Sequence, residues 1–308
     1  MSVNALPDGA EVTTGLGDTP VVSVNTPACT GQVQLRGAHV LAWQPAGADP
    51  VLWTSREATH AAGEPLRGGI PLCAPWFVFG RSGNREPLHG FVQFVPWRLE
   101  SVASIPSDDA SPDIVQVTMS MAGTDAHQHV EQLGIGGTAD YPPAYECRCT
   151  IGLGAELTVT WSVRSLGPAL DWEQAMHTHL VVGDVRRAWI DGMNGATYLD
   201  KVAPDGTVQH QWGPLRFHDE TDRVYHTEAT LSLEDPVLRR RVRIARTGSA
   251  QSVVWNPWAG KARDMADFGD EEWPGMVCVE TANVLTETVR LSPGGQHTMS
   301  TRLSVESW

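Results

Sequence analysis

The sequence predicts an all-β fold, a sandwich of packed antiparallel sheets. Short runs rich in Val, Thr, Leu and Trp, such as PVVSVN, GQVQLRG, DIVQVTMSM and AELTVTWSV, recur between Gly, Pro, Asn and Asp punctuation, as strands and their turns do. Within AELTVTWSV the residues Leu157, Val159, Trp161 and Val163 fall on one face, and Val242 and Ile244 behave likewise in RRVRIAR, the period of a half-buried strand. Helical periodicity is scarce, and 30 Gly and 21 Pro are spread over the whole length, where they interrupt long helices. Many strands without amphipathic helices between them favour antiparallel sheets over a parallel α/β sheet. No repeat, low-complexity tract or charge block marks a boundary, so residues 1–308 are expected to form one domain.

Composition narrows the function classes. The 308 residues are 41% hydrophobic, enough for a sizeable core. No window approaches the ~20 consecutive apolar residues of a membrane helix, and MSVNALPDGAEV lacks the basic start and apolar stretch of a secretion signal. A cytoplasmic location without a membrane partner is expected. The cysteines, Cys29, Cys73, Cys147, Cys149 and Cys278, are odd in number and irregular in spacing, which argues for free, mostly buried thiols. Cys147 and Cys149 share a strand face and are expected to be packing residues. A formal net charge of -14 repels nucleic acid, although a few converging arginines can still bind a small anion.

Two stretches read as irregular, residues 54–90, dense in Gly, Pro and Arg, and residues 256–275, NPWAGKARDMADFGDEEWPG. Long loops inside a compact domain are functional or disordered, and the Trp and Phe content here opposes disorder. The first few residues and SIPSDDASPD at 104–113 are expected to tolerate change.

Four features can carry chemistry. In RGGIPLCAPWFVFG, from Arg67 to Gly80, the paired glycines permit positive φ and close approach to a ligand, with Trp76 and Phe77 as an apolar wall; a tight turn with core aromatics explains the same residues. His89, between Leu88 and Gly90, is an imidazole able to donate or accept a hydrogen bond, or a structural histidine. His177 and His179 sit two apart and share a side of a strand. They could chelate a divalent ion with a distant Glu and His, but no further His or Asp follows on that face except Asp184. Glu280 ends the apolar run Met276–Val279, where burial raises a carboxylate toward a useful base unless an arginine pairs with it.

Taken in order, RGGIP with PWF, LHGF, MHTHLVVGD, DGMNGATYLDKV, ETDRVY, NPW and VCVE resemble the aldose 1-epimerase superfamily, and specifically its glucose-6-phosphate 1-epimerase branch, over roughly residues 50–300. The resemblance implies a galactose-mutarotase-like antiparallel β-supersandwich whose concave face holds the sugar. It implies that His177 is the acid facing the ring oxygen and Glu280 the base for the anomeric hydroxyl. It also implies that His89 assists at the sugar, Asp222 accepts sugar hydroxyl protons and Arg67 contacts the phosphate. Gln93 departs from the pattern, since the family usually has a second phosphate-binding arginine there; Arg81 or Arg85 is the candidate substitute.

The chemistry suits these residue types. A hemiacetal opens when a base takes the anomeric proton and an acid protonates the ring oxygen, with no metal or organic cofactor, and Glu280 ionised beside protonated His177 is the expected starting state. The expected partner is a small-molecule sugar or sugar phosphate, and the chain is expected to be a monomer. The competing readings are an epimerase of unphosphorylated aldoses, a non-catalytic sugar-binding protein on the same scaffold, and a metal-dependent cupin-like enzyme.

Overall fold

One strand organises the eight-stranded sheet. The computed structural model describes residues 5–106, 113–139, 141–203 and 206–308; residues 107–112 of the 104–113 stretch and the first four residues lie outside them. Met276–Asn283 is buried along its whole length and pairs with Gln251–Asn256 on one side and with Gln174–Met176 and His179–Val181 on the other, all antiparallel. The sheet extends through Thr221–His226, Thr197–Asp200 and Val208–His210 at one edge and Leu72–Cys73 at the other. Burial on both faces explains why its central strands read as apolar runs rather than alternating ones.

A nine-stranded antiparallel sheet runs from Leu215–Arg216 to Arg98–Ile105, with Gln296–Ser307, Leu157–Ser165 and Tyr145–Leu153 in its middle. Here one face is wet, so the alternation is clean. Leu157, Val159, Trp161 and Val163 are buried and the residues between them are not, and Val242 and Ile244 are likewise inside. These side chains join Val277, Val279, Val254 and Tyr225 of the first sheet in one continuous apolar cluster, the layer between two packed sheets. A four-stranded sheet spanning Ala10–Pro45 and a two-stranded pair complete the β structure.

All five cysteines are free and buried, with Cys147 and Cys149 in the apolar cluster. The helix Gly123–Gln132 was not expected. It buries only Gly123, Ala126 and Val130, a stripe too short to register as periodicity. Of the two irregular stretches, 54–90 holds little beyond turns and the Leu72–Cys73 strand, while 256–275 contains the short helix Trp258–Arg263.

Candidate active site

The ladder itself brings the two central groups together. Gln174–Met176 and His179–Val181 share one continuous register against Met276–Asn283, with Met176 opposite Thr281 and His179 opposite Cys278. His177 therefore stands across from Glu280. Because side chains two apart share a face, His177, His179, Cys278 and Glu280 form a two-by-two array on one side of the sheet. His177 Nε2 lies 3.4 Å from Glu280 Oε1, and the His177 and His179 rings stack with centroids 4.5 Å apart.

Above this array is a cavity of about 300 Å³ lined by His177, Glu280, His89, Arg67, Asp222, Lys201, Lys261, Phe77, Val253 and Trp255, among others. Register again fixes the floor, since Val253 pairs with Glu280, and Asp222 with Trp255. His89 has φ +64, its N–H donating to Val78 O at 2.8 Å. Its ring rests on Phe77 and meets His177 edge-on, centroids 5.4 Å apart. The Val78 N–H donates to His89 Nδ1 at 3.3 Å, so the ring proton sits on Nε2. Glu173, buried beneath this loop, accepts from the N–H groups of Phe77 and Leu285 at 3.0 and 2.8 Å and so fixes the segment that carries His89.

Burial dominates the electrostatics. It pushes the Glu280 carboxyl well above the usual carboxylate range; neighbouring Asp222 adds to the shift, and Lys201 opposes it. Burial also pushes His177 well below the usual imidazole range, helped by His89 and Arg67. His89 falls to about 3 for the same leading reason, with Lys201 and Arg67 contributing. Desolvation works against the expected state of ionised Glu280 beside protonated His177, in competition with the attraction between the two charges.

Each cation of the cavity is met by a carboxylate. Arg67 forms a two-pronged contact with Asp267 at 3.1 and 3.2 Å, Lys201 Nζ lies 3.0 Å from Asp222 Oδ2, and Lys261 Nζ 2.9 Å from Glu220 Oε1.

A sequence model of the family described as aldose 1-epimerase matches residues 20–304. The chain belongs to that family. It is 29% identical over 270 residues to a provisionally named glucose-6-phosphate 1-epimerase of Salmonella typhimurium, covering 86% of this chain and 84% of that one. It matches a plant relative of the same provisional name, from Cenchrus ciliaris, at 29% over 273 residues, covering 86% and 78%. The crystal structure of a provisionally named mutarotase from Salmonella typhimurium superposes with a TM-score of 0.85 at 25% identity, covering 99% and 96%. Galactose 1-epimerase from Lactobacillus acidophilus, at 12% identity and a TM-score of 0.69 over 97% and 98%, shares the fold. The architecture is the galactose-mutarotase-like β-supersandwich, and this member of the aldose 1-epimerase family is an isomerase acting on carbohydrates.

Against that family background, five of the expected residues converge on the cavity: His177, Glu280, His89, Asp222 and Arg67. Trp76 does not. It is turned away from the cavity, its Nε1–H donating to Pro87 O at 2.8 Å and its ring meeting Phe91; the aromatic wall is Phe77 with Trp255. Gln93 also misses the main cavity, because its Nε2 donates to Leu88 O and Gly90 O. Arg85 is not a substitute, since its guanidinium lies over the Trp76 and Tyr141 rings. Gly68 and Gly69 do have positive φ, yet what they approach is the chain itself: a Cβ on Gly68 would strike Thr54, and one on Gly69 would meet His39.

Lys201, Lys261 and Trp255 were missed by sequence reasoning. Lys201 with Asp222 and Arg223 with Asp200 form two ion pairs across neighbouring strands. Asn256 of NPW is a brace rather than a ligand contact, its Nδ2 donating to Trp273 O and Met276 O at 2.9 Å.

Proposed function

We propose that the protein interconverts the α and β anomers of a hexose 6-phosphate, glucose 6-phosphate being the leading candidate, with Glu280 as base, His177 as acid and no cofactor. The observation that carries this reading is the His177–Glu280 pair, 3.4 Å apart at the floor of a sugar-sized cavity. The opposed shifts suit the roles: a carboxylate with a raised pKa is a strong base once ionised, and an imidazolium with a lowered pKa is a strong acid.

The reaction starts from ionised Glu280 and protonated His177, the state to which proton transfer between the two brings them. Glu280 then removes the anomeric hydroxyl proton while His177 protonates the ring oxygen and the C1–O bond breaks. This leaves an open-chain aldehyde above neutral Glu280 and neutral His177. That is the protonation state burial favours, so what desolvation costs in charging the pair is returned as the ring opens. Rotation about C1–C2 and the reverse transfers close the ring from the other face. His89 offers a neutral Nε2–H to the sugar, and Asp222 offers an acceptor.

The phosphate reading draws on Arg67, Lys201 and Lys261 around one cavity and on the provisional names of the relatives. A dianion would compete with Asp267, Asp222 and Glu220 for those cations. That matched set of carboxylates favours a second reading, an epimerase of unphosphorylated aldoses. Anomer exchange followed by polarimetry or magnetisation transfer on glucose, glucose 6-phosphate and galactose 6-phosphate separates them, and equal kcat/KM for glucose and glucose 6-phosphate would reject the phosphate. The same proposal takes the chain as a single-domain cytoplasmic monomer acting on a small molecule, without nucleic acid or membrane partners. Its net charge of -14 disfavours a nucleic-acid partner.

A further inference from the structure

The four-stranded sheet at the start of the chain leaves part of its outer face uncovered. Along Pro20–Asn25, Cys29–Gln34 and His39–Pro45, one face carries Val22, Val33 and Val40 in register and joins the core. The other carries Val21, Gln34 and His39 in register, and the stretch 54–68 folds over it, His39 Nε2 lying 2.8 Å from Gly68 O. That cover is incomplete. It leaves a cleft of about 560 Å³, with Val21, Gln32, Gln34 and Leu41 as its floor, residues 13–16 as one wall, and Thr54, His60 and Leu66 as the other. None of these residues lines the cavity above Glu280.

Both walls are pinned. Arg36, itself buried, donates from Nη1 to Ala61 O at 2.8 Å and from Nη2 to His60 O at 3.3 Å. The turn after Ala10–Thr14 closes on the same loop so tightly that a Cβ on Gly17, at φ +69, would strike His60 O. At the floor, Gln34 is 2% exposed, and its side-chain amide has no hydrogen-bond partner among the described residues. A buried amide without a partner is costly, and the cleft is where a partner can enter.

The lining also selects the chemistry of that partner. It holds no carboxylate, lysine or arginine among the described residues, and burial, helped by Arg36, keeps His60 below the usual imidazole range. A charged group would therefore enter without a counter-ion. The amides of Gln32 and Gln34, the hydroxyls of Thr13, Thr14 and Thr54 and a neutral imidazole all both donate and accept hydrogen bonds. A ligand hydroxyl does the same, so hydroxyls can be satisfied wherever they fall. Leu16, Val21, Leu41 and Leu66 offer apolar surface to the C–H faces between them, and the volume is within the roughly 300–1,000 Å³ of small-molecule sites.

We propose that this cleft is a second small-molecule site, for a neutral polyhydroxylated ligand of hexose size, with Gln34 as its central hydrogen-bonding group. The site shares no residue with the cavity of His177 and Glu280 and stands or falls independently of the anomer-exchange reading.

The test uses the full chain, isotope-labelled for nuclear magnetic resonance, with myo-inositol as the probe: an uncharged, hexose-sized polyol without an anomeric carbon. The Gln34 side-chain NH₂ signal is assigned by its absence from Gln34→Leu. In the wild type it should shift and saturate as myo-inositol is added. Leu41→Trp, which fills the cleft from its floor, should abolish the shift, and Glu280→Gln, in the other cavity, should leave it. Gln34→Leu breaks no hydrogen bond within the protein, so it should melt no lower than wild type, while calorimetry should show its Kd for myo-inositol raised by about 10-fold, as loss of one or two hydrogen bonds implies. A shift that stays linear without saturating, or that survives Leu41→Trp in a folded protein, overturns the site. An unchanged Kd in Gln34→Leu overturns it whether or not Leu41→Trp folds, and a shift lost in Glu280→Gln would place the probe in the other cavity and overturn it as well.

Discussion

His177 Nε2 and Glu280 Oε1 lie 3.4 Å apart on directly opposed positions of adjacent strands, and neither Glu280 Oε2 nor His177 Nδ1 has a hydrogen-bond partner among the described residues. The pair is committed to itself and to the cavity. Glu280→Gln keeps the shape and removes the proposed base, so anomer exchange should fall by about 10²–10⁴-fold with an unchanged circular dichroism spectrum. Near wild-type exchange would falsify the assignment of Glu280.

The two histidines should separate. His177→Ala and His177→Asn should both lose most exchange, because an amide can hold a sugar but cannot protonate its ring oxygen. His179→Ala, which loses the stack and the contact to Gly69 O, should lose less. The opposite order, measured by magnetisation transfer, would move the acid role to His179.

Arg67 and Asp267 give a prediction of sign. If phosphate binds Arg67, then Arg67→Ala removes a charge-assisted contact and leaves Asp267 facing the anion. KM for glucose 6-phosphate should rise by roughly 10–100-fold, about 1.5–3 kcal/mol, with kcat little changed. Asp267→Asn frees the guanidinium and should lower that KM. A KM for glucose 6-phosphate that does not respond to either change would remove Arg67 from phosphate recognition.

His39 predicts an acid limb in stability. Burial lowers it from 6.5 to about 4, although its Nε2 lies 2.8 Å from Gly68 O. The folded pKa is depressed, so below 6.5 the unfolded chain binds a proton that the native state refuses. Its stabilising contribution is complete above 6.5 and is lost as pH falls toward 4, by on the order of 3 kcal/mol. His39→Gln can still donate to Gly68 O and does not titrate. Urea unfolding across this range should show a shallower decline for the variant, and parallel curves would reject the argument.

Glu173 should matter to both stability and site. Glu173→Ala leaves the buried N–H groups of Phe77 and Leu285 without their acceptor, costing roughly 2–6 kcal/mol in a denaturant titration. Glu173→Gln, which keeps one acceptor, should lose less. Equal losses would show that the one acceptor the amide keeps contributes nothing, and would reject this account.

The sequence revealed most about the wet-faced sheet. The alternation of Leu157, Val159, Trp161 and Val163 is a direct print of one buried face, whereas Met276–Asn283, buried on both faces, leaves no alternation to read. At the site, the histidine and glutamate segments were visible one by one, and only resemblance joined them. Their pairing is a matter of register between strands about a hundred residues apart. Trp76 and Phe77 show another limit: they are neighbours in sequence, yet one turns inward and the other toward the cavity, and composition cannot say which. Lys201 escaped notice because its partner, Asp222, is a neighbour only across strands.

Where the functional groups are mounted has an evolutionary consequence. His177 and Glu280 hang from the middle of a fully buried ladder, so their spacing is set by the distance between strands and tolerates little adjustment. Arg67, His89 and Lys261 instead come from the two irregular stretches and the short helix within one of them. Insertions and substitutions there can remodel which sugar is admitted without disturbing the proton-transfer distance. On the proposed roles, exchanging those two stretches between relatives should transfer substrate preference with the ladder untouched.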